Sequence, residues 1–211
     1  MAADLVSLLA EGRRRYADQP IFGVKAGGSF RWTTYAQFAD VVSGCAARLA
    51  ALGIGAGERV VIAGPWSLHA AQLAHAVCHC RASFVALSGS PDLATWHFAL
   101  RSMEPRLAFA STTQAARALE ALTRETPELA LPILDLPDTT PPLPLAAAAR
   151  PPHADDVASY RLRRGRSGEL LPRPVTHRSL CRRANSLRFS AQQRRRTLGE
   201  ILLLRELFFR A

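Results

Sequence analysis

Residues 59–87 read RVVIAGPWSLHAAQLAHAVCHCRASFVAL, and this stretch decides the fold. Four consecutive apolar residues from Val60 to Ala63 predict a buried strand, and residues 84–87 predict a second one. The mostly apolar run from about Ser67 to Arg81 is long enough for a helix and too long for a strand. A strand, a covering helix and a second strand make a βαβ unit, whose two strands run parallel because the helix returns the chain to the same end of the sheet.

The same alternation continues toward the C-terminus. Helices predicted near residues 92–103 and 113–124 alternate with strands predicted at residues 107–110 and 133–136. No internal repeat is visible in the 211 residues. We therefore expect an α/β domain with a mostly parallel sheet that helices cover on both faces, as in doubly wound folds.

The N-terminal segment predicts a helix, a hairpin and a second helix. Residues 3–17 carry apolar positions at helical spacing, and the hairpin that follows has its turn at residues 27–28, where two glycines permit positive φ. Thr34 and Gln37 have the spacing of a capping box, which begins the second helix. Gly53 supplies a left-handed cap where that helix ends.

Composition fits a soluble α/β domain of ordinary size, since 48% of the residues are hydrophobic. The sequence has no run of about 20 apolar residues of the kind that spans a membrane. The basic cluster near the N-terminus follows the apolar run, which is the reverse of a signal peptide. We expect a cytoplasmic location, with the four cysteines as reduced thiols because their spacing fits no disulfide framework.

The positive charge is concentrated near the C-terminus. The net charge is +10, and residues 161–211 alone hold 14 arginines against three glutamates. The segment before them, residues 137–156, contains six prolines and is expected to be a surface connection. A short strand from Val157 to Tyr160, a loop rich in glycine and arginine, and a helix from about Thr176 are predicted after it.

A set of short matches runs through residues 32–87. They are Thr34-Tyr35, Leu52-Gly53, Gly57-Glu58-Arg59-Val60, Pro65 and Ser83-Phe84-Val85-Ala86-Leu87. Their order resembles the opening of the adenylate-forming (AMP-dependent) acyl-activating enzymes, in which T-Y-x-x-L precedes L-x-x-x-G-x-x-x-G-D-x-V and, later, G-A-x-x-V-P-L. The resemblance implies that residues 1–180 form the N-terminal α/β domain of such an enzyme.

A further match follows the proline-rich connection, where this family carries the phosphate-binding signature Y-T-S-G-T-T-G-x-P-K-G. Residues 160–174 read YRLRRGRSGELLPRP and stand at that place, with residues 163–168 on T-S-G-T-T-G. Residues 175–180, VTHRSL, resemble the segment that follows the signature. The resemblance implies that ATP is bound here, with Mg²⁺ brought by the nucleotide. The residues implied to hold its phosphates are Gly165, Ser167, Gly168 and Arg173.

This loop has lost most of the hydroxyl groups that the chemistry uses. Activation of a carboxylate by ATP needs backbone N–H groups, hydroxyls and a cation around the departing pyrophosphate. Only Ser167 keeps a hydroxyl, while arginines occupy positions 163, 164 and 166. Guanidinium groups attract phosphate but are too bulky for a tight cradle, so we expect weak ATP binding at best.

The other site residues of the family lie downstream of the part that matches. They comprise the adenine and acyl pockets, the acid associated with magnesium, the ribose-binding aspartate and the C-terminal lysine, whereas the only lysine here is Lys25. The family reaction converts a carboxylic acid to an acyl-adenylate and then to a thioester. The resemblance therefore implies an activity that is impaired or absent in this chain alone. A separate complementing polypeptide is a hypothesis, and the sequence does not identify the acid.

Residues 181–211 lose the resemblance and predict a basic helical tail. One hypothesis is that a frameshift or truncation replaced the original continuation, since runs of arginine and leucine fit an out-of-frame reading of GC-rich DNA. The alternative function is a noncatalytic interaction module, whose arginine-rich helix binds a protein, an anionic membrane or nucleic acid. Binding that falls steeply with ionic strength would distinguish this alternative from the enzymatic hypothesis.

Histidines and cysteines between His75 and Cys80 suggest a metal site at first sight. The segment matches a core helix, however, and adjacent ligands on a helix point about 100° apart. A core helix is therefore the favoured interpretation. Cys45 and Cys181 are likewise interpreted as inert small side chains, because no histidine and aspartate accompany them at a recognisable spacing.

Overall fold

A computed structural model describes residues 3–87, 92–129, 131–135 and 151–184. A 3₁₀ turn, Pro127–Leu129, precedes the strand at Ile133–Asp135. The helices and strands, in chain order, are α1 (Leu5–Tyr16), β1 (Pro20–Ala26), β2 (Ser29–Thr34), α2 (Tyr35–Ala51), β3 (Arg59–Ala63), α3 (Leu68–His79), β4 (Ser83–Leu87), α4 (Leu93–Met103), β5 (Leu107–Ala110), α5 (Thr113–Glu125), β6 (Ile133–Asp135), β7 (Val157–Arg164), β8 (Leu170–Thr176) and α6 (residues 177–184).

Within the described residues, six strands form the central sheet in the order β6-β5-β3-β4-β7-β8. Every neighbouring pair from β6 to β7 is parallel, and only β8 runs antiparallel to its neighbour. The decisive βαβ unit is confirmed, since β3 and β4 pair in parallel with Val60 opposite Phe84. The predicted α/β class with a mostly parallel sheet is therefore confirmed as well.

Helices cover both faces of this sheet, so the apolar core has two halves. Alternate residues of β3 point to opposite faces. Val60 belongs to the half that α1, α2 and α3 cover, while Val61 belongs to the half that α4 and α5 cover. The first half includes the buried rings of Phe38 and Phe84, and the second is built around Trp96. This two-sided burial explains why the strands read as continuous apolar runs.

The N-terminal predictions are confirmed at the level of hydrogen bonds. Strands β1 and β2 form a separate antiparallel pair, with both turn glycines at positive φ. The N–H of Gln37 donates to Oγ1 of Thr34 over 3.2 Å, and the N–H of Thr34 donates to Oε1 of Gln37 over 3.0 Å, which makes the capping box. Gly53 ends α2 with φ +79°.

The segment after Tyr160 differs from the prediction. A loop was expected up to a helix near Thr176, but β7 continues to Arg164, and β8 returns from Leu170 as its antiparallel partner. Proline has no N–H to donate, so the two prolines in β8 disfavour a central strand. They are accommodated because, among the residues that the structure describes, β8 is the outermost strand of the sheet, where one row of backbone groups needs no partner strand. The predicted helix follows at residues 177–184.

Two other predictions fall largely outside the described residues. Most of the proline-rich connection lies in residues 136–150, and most of the basic tail, on which the interaction-module alternative depends, lies in residues 185–211. Among the described helices, none combines the length and the apolarity needed to cross a membrane.

Candidate functional site

The β7–β8 hairpin carries the predicted phosphate loop beyond the end of the parallel sheet. Strand β7 pairs with β4 only through its first half, with Ser159 opposite Phe84 and Tyr160 opposite Val85. The turn, residues 165–169, therefore extends past Leu87, the last residue of β4, by roughly three residues or about 10 Å. Ligands of open α/β sheets bind at the carboxyl ends of parallel strands. The hairpin turn thus lies at the end of the sheet where a ligand is expected.

Backbone hydrogen bonds hold the turn closed. The N–H of Gly165 donates to the carbonyl of Glu169 over 2.8 Å, and the N–H of Gly168 donates to the carbonyl of Gly165 over 3.1 Å. Gly168 has φ +87°, a conformation that favours glycine. The guanidinium of Arg164 donates to the carbonyl of Gly168 over 3.2 Å. Both glycine N–H groups that would face a phosphate are therefore engaged within the hairpin.

The carboxylate of Glu169 lies inside this turn. It accepts a hydrogen bond from the hydroxyl of Ser167, the one hydroxyl that the loop retains. It also lies directly over Gly165, in the space that a Cβ at that position would occupy. The Ser167 hydroxyl, followed by the backbone N–H of Glu169, lowers the pKa of the Glu169 carboxyl. A negative group of the chain itself therefore occupies the place proposed for phosphate, and the family signature gave no indication of Glu169.

Three of the four predicted phosphate residues are brought together, and the fourth is not. Gly165, Ser167 and Gly168 share the turn, whereas Arg173 lies in β8 directly opposite Arg161. Leu170 is the first residue of β8, so Arg173 is three residues, or about 10 Å, along the strand from the turn. An arginine side chain extends several ångströms, but the closed turn and Arg173 do not form a single cradle.

Arg173 instead belongs to an arginine face of the hairpin, made by Arg161, Arg163 and Arg173. Residues two apart on a strand, and residues opposite each other on paired strands, share one face. Arg161 is partly buried, and this burial, together with the charges of Arg183 and Arg163, lowers its pKa. The sequence comparison singled out Arg173 alone, because the pairing that brings Arg161 beside it depends on β8.

Ion pairs and backbone hydrogen bonds fix the base of the hairpin. Arg178 donates to both oxygens of Asp155, from Nε over 2.7 Å and from a terminal nitrogen over 2.9 Å. Asp156 pairs with Arg81 at the end of α3 over 3.3 Å, and its carbonyl accepts from the N–H of His177 over 3.1 Å. The hairpin is therefore anchored to α3 and α6, and its turn projects from a fixed base.

His75 and Cys78 of α3 are buried in the core. Burial, followed by the charges of His79 and His177, lowers the pKa of His75 to about 3. Burial also raises the pKa of Cys78 far above its usual range and that of Cys181 to about 11. Such thiols stay protonated and are poor nucleophiles. Across the described part of the chain, no three His, Cys, Asp or Glu side chains group in a way that suits a metal ion.

A cavity of about 480 Å³ lies between α2, α3 and the β5–β6 edge. Its lining is mainly apolar, with Arg48, His69, Gln72 and Asp135 as polar members. The β5–β6 edge is at the opposite side of the sheet from β8, so this cavity includes none of the predicted phosphate residues. We therefore take the hairpin, and not the cavity, as the candidate site.

The fold and the hairpin define a class, a doubly wound α/β domain with a glycine turn at the carboxyl end of its sheet. The model of the family described as AMP-binding enzyme matches residues 9–186. This chain belongs to that family. A search of curated proteins gives no match.

Solved structures with a similar fold include an acyl-adenylate ligase and a CoA ligase. ATP-bound MatB from Rhodopseudomonas palustris matches with a TM-score of 0.69 and 18% identity over 89% of this chain. The fatty acyl-adenylate ligase from L. pneumophila, in complex with acyl adenylate and pyrophosphate, matches with a TM-score of 0.72 and 17% identity over 91%. The anthranilate CoA ligase AuaEII, in complex with anthranoyl-AMP, matches with a TM-score of 0.74 and 18% identity over 88%. The present chain spans only 33% to 37% of these three proteins.

Proposed function

We propose that this chain is the N-terminal portion of an adenylate-forming ligase that acts in the cytoplasm, with residues 1–180 as its α/β domain. The family reaction joins a carboxylic acid to the α-phosphate of ATP, releases pyrophosphate, and passes the acyl group to a thiol. The observation that carries the proposal is the position of the glycine turn. It follows the fifth strand of the parallel sheet, within the residues 9–186 that match the family model.

In this proposal the hairpin handles the phosphates of ATP. Gly165 and Gly168 allow phosphate oxygens to approach the backbone, and the hydroxyl of Ser167 donates to them. Arg173 adds positive charge, which the neighbouring Arg161 reinforces. Mg²⁺ would enter with the nucleotide and neutralise part of its charge. The second substrate is a carboxylic acid, and structural relatives are complexed with L-aspartate or anthranoyl-AMP.

We further propose that these residues do not complete the reaction by themselves. The turn holds its own carboxylate, its glycine N–H groups are engaged within the hairpin, and Arg173 lies apart from it. Each of these features weakens the hold on a triphosphate. The adenine, ribose and acyl sites would have to come from further sequence or from a second polypeptide.

Calorimetric titration with MgATP tests the proposal. We expect weak, saturable binding that is lost in Arg173→Ala, which removes a cation, and in Gly168→Val, whose side chain does not tolerate φ +87°. Arg14→Ala is the matched control, because Arg14 is exposed on α1 and its loss changes the net charge equally. Folding of each variant is checked by circular dichroism.

Two results would contradict the proposal. ATP binding that survives in both hairpin variants would place the nucleotide elsewhere. Pyrophosphate release by this chain alone, dependent on an added carboxylic acid, would show that it completes adenylation without a further part.

A further inference from the structure

We infer that the β7–β8 turn is an anion-binding site and that the carboxylate of Glu169 is its internal ligand. This carboxylate competes with inorganic pyrophosphate, so the removal of Glu169 strengthens pyrophosphate binding to the turn. The inference rests on the proposed function for the identity of the external anion. The occupancy by Glu169 rests on the turn geometry alone.

The hydroxyl that the turn retains is directed at the carboxylate, as it would be at a phosphate. The Ser167 hydroxyl donates to Oε2 of Glu169. This hydrogen bond, followed by the backbone N–H of Glu169, lowers the pKa of the carboxyl and so favours its charged form. Hydroxyl and backbone N–H groups around one anion form a nest, the arrangement that cradles phosphate in nucleotide-binding loops, and this turn provides part of such a nest.

Gly165 makes this occupancy possible. A Cβ at position 165 would collide with the Glu169 carboxyl group, whereas the structure places nothing within 4 Å of a Cβ at Gly168. The glycine at 165 is therefore needed for space and the one at 168 for its positive φ. Glycine lets a ligand approach the backbone closely, and here the side chain four residues later occupies that space.

Glu169 opposes phosphate binding in two ways. It takes up the Ser167 hydroxyl, and it places a negative charge where a second anion would have to come. An internal ligand is also present at a high effective concentration, because it is tethered within the same short turn. The surrounding Arg164 and Arg166 attract anions in general, but the nest itself is filled.

Titration with inorganic pyrophosphate at constant pH and ionic strength tests this inference, followed through the backbone amide signals in a ¹H–¹⁵N NMR spectrum. We expect Glu169→Ala to bind pyrophosphate about tenfold more tightly than the unmodified chain, since it frees a charge-assisted donor set. The amide signals of Ser167 and Gly168 should shift during the titration. Glu169→Gln should gain less, because its amide oxygen can still accept from Ser167.

Glu120→Ala is the control for net charge, since Glu120 is exposed on α5, outside the hairpin. Equal gains in Glu120→Ala and Glu169→Ala would overturn the inference, because the effect would then be general. Pyrophosphate binding by Glu169→Ala no tighter than that of the unmodified chain would also overturn it. The Ser167 amide signal, recorded without pyrophosphate, should differ between Glu169→Ala and the unmodified chain, because the carboxylate bound to Ser167 has been removed. Identical signals would also overturn the inference.

Failure of this inference is distinguishable from failure of the proposed function. A gain of pyrophosphate binding in Glu169→Ala, with no ATP binding by any variant, would support the internal ligand and reject the ATP-binding role. ATP binding by the unmodified chain that Glu169→Ala leaves unchanged would retain the ATP-binding role and overturn the internal ligand.

Discussion

The central sheet and the β7–β8 hairpin follow different rules, although both lie within the residues that match the family. Strands β3 and β4 are almost wholly buried and keep the apolar runs of a doubly wound fold. Residues 163–164 and 166–169 of the hairpin are exposed, and arginines occupy positions 163, 164 and 166, where the family signature has hydroxyl residues. Burial tolerates many apolar side chains, whereas a phosphate cradle tolerates few substitutions. The fold can therefore persist while its chemistry is lost.

The largest expected effect concerns the core. Phe84 lies in β4 with 1% of its surface exposed and packs beside the indole of Trp66. Phe84→Ala should lower the free energy of unfolding by about 3 to 5 kcal/mol, because it removes buried apolar area and leaves a cavity. Arg163→Ala, on the exposed half of the hairpin, should change it by less than about 0.5 kcal/mol. Urea unfolding measures both. Equal effects of the two substitutions would remove the distinction between the regions.

Acid should weaken the core before it affects the hairpin. Because the pKa of His75 falls from 6.5 in the unfolded chain to about 3 in the folded one, the unfolded state binds more protons between these values. The free energy of unfolding should then decrease on acidification by about 1.4 kcal/mol per pH unit below pH 6.5. Burial lowers the pKa of His79 and of His177, which adds an effect of the same sign.

The pH effect is checked by urea unfolding at several values between pH 7.5 and 5. His75→Gln should reduce the slope, while His69→Gln, a change at a half-buried histidine, serves as the control. The carboxylates of Asp155 and Asp156 have a lowered pKa, so their stabilising contribution is lost only at more acidic pH. A stability that stays constant from pH 7.5 to 5 would contradict the buried, neutral state of His75.

A smaller effect on stability is expected at the capping box of α2, for which the sequence predicted the two residues that exchange hydrogen bonds. Thr34→Ala should lower the free energy of unfolding by about 1 kcal/mol, because the N–H of Gln37 then loses its acceptor. Thr34→Ser keeps the hydroxyl and should retain most of the stability. If both variants lose the same stability, the effect comes from the methyl group that both lack and not from the capping hydrogen bond.

The sequence predicted the central sheet better than the β7–β8 hairpin, for physical reasons. The βαβ unit from Val60 to Leu87 was predictable because buried apolar runs and caps act locally along the chain. Strand β8 was not, because Pro172 and Pro174 exclude a central strand, and only the sheet order shows that β8 is an edge. The position of the glycine turn was predicted, but its occupancy by Glu169 was not. No residue pattern indicates that a side chain folds back onto its own turn.

The smallest expected effect lies on the arginine face of the hairpin. Arg161 and Arg173 are directly opposite each other on paired strands, where like charges destabilise a sheet. Arg173→Thr should therefore raise the free energy of unfolding by a few tenths of a kcal/mol in low salt. The gain should shrink at 0.5 M salt, because screening already reduces the repulsion. Thermal unfolding at the two salt concentrations measures it.

Arg31→Thr is the control for this last substitution, since Arg31 is exposed on β2 and lies opposite Val24 and not another arginine. If Arg173→Thr both stabilises the fold and abolishes ATP binding, the two adjacent arginines are retained for binding although they destabilise the sheet, as is common at binding sites. If Arg173→Thr stabilises the fold and ATP binding is unchanged, Arg173 does not hold phosphate. The hairpin would then differ from the sheet only in its exposure.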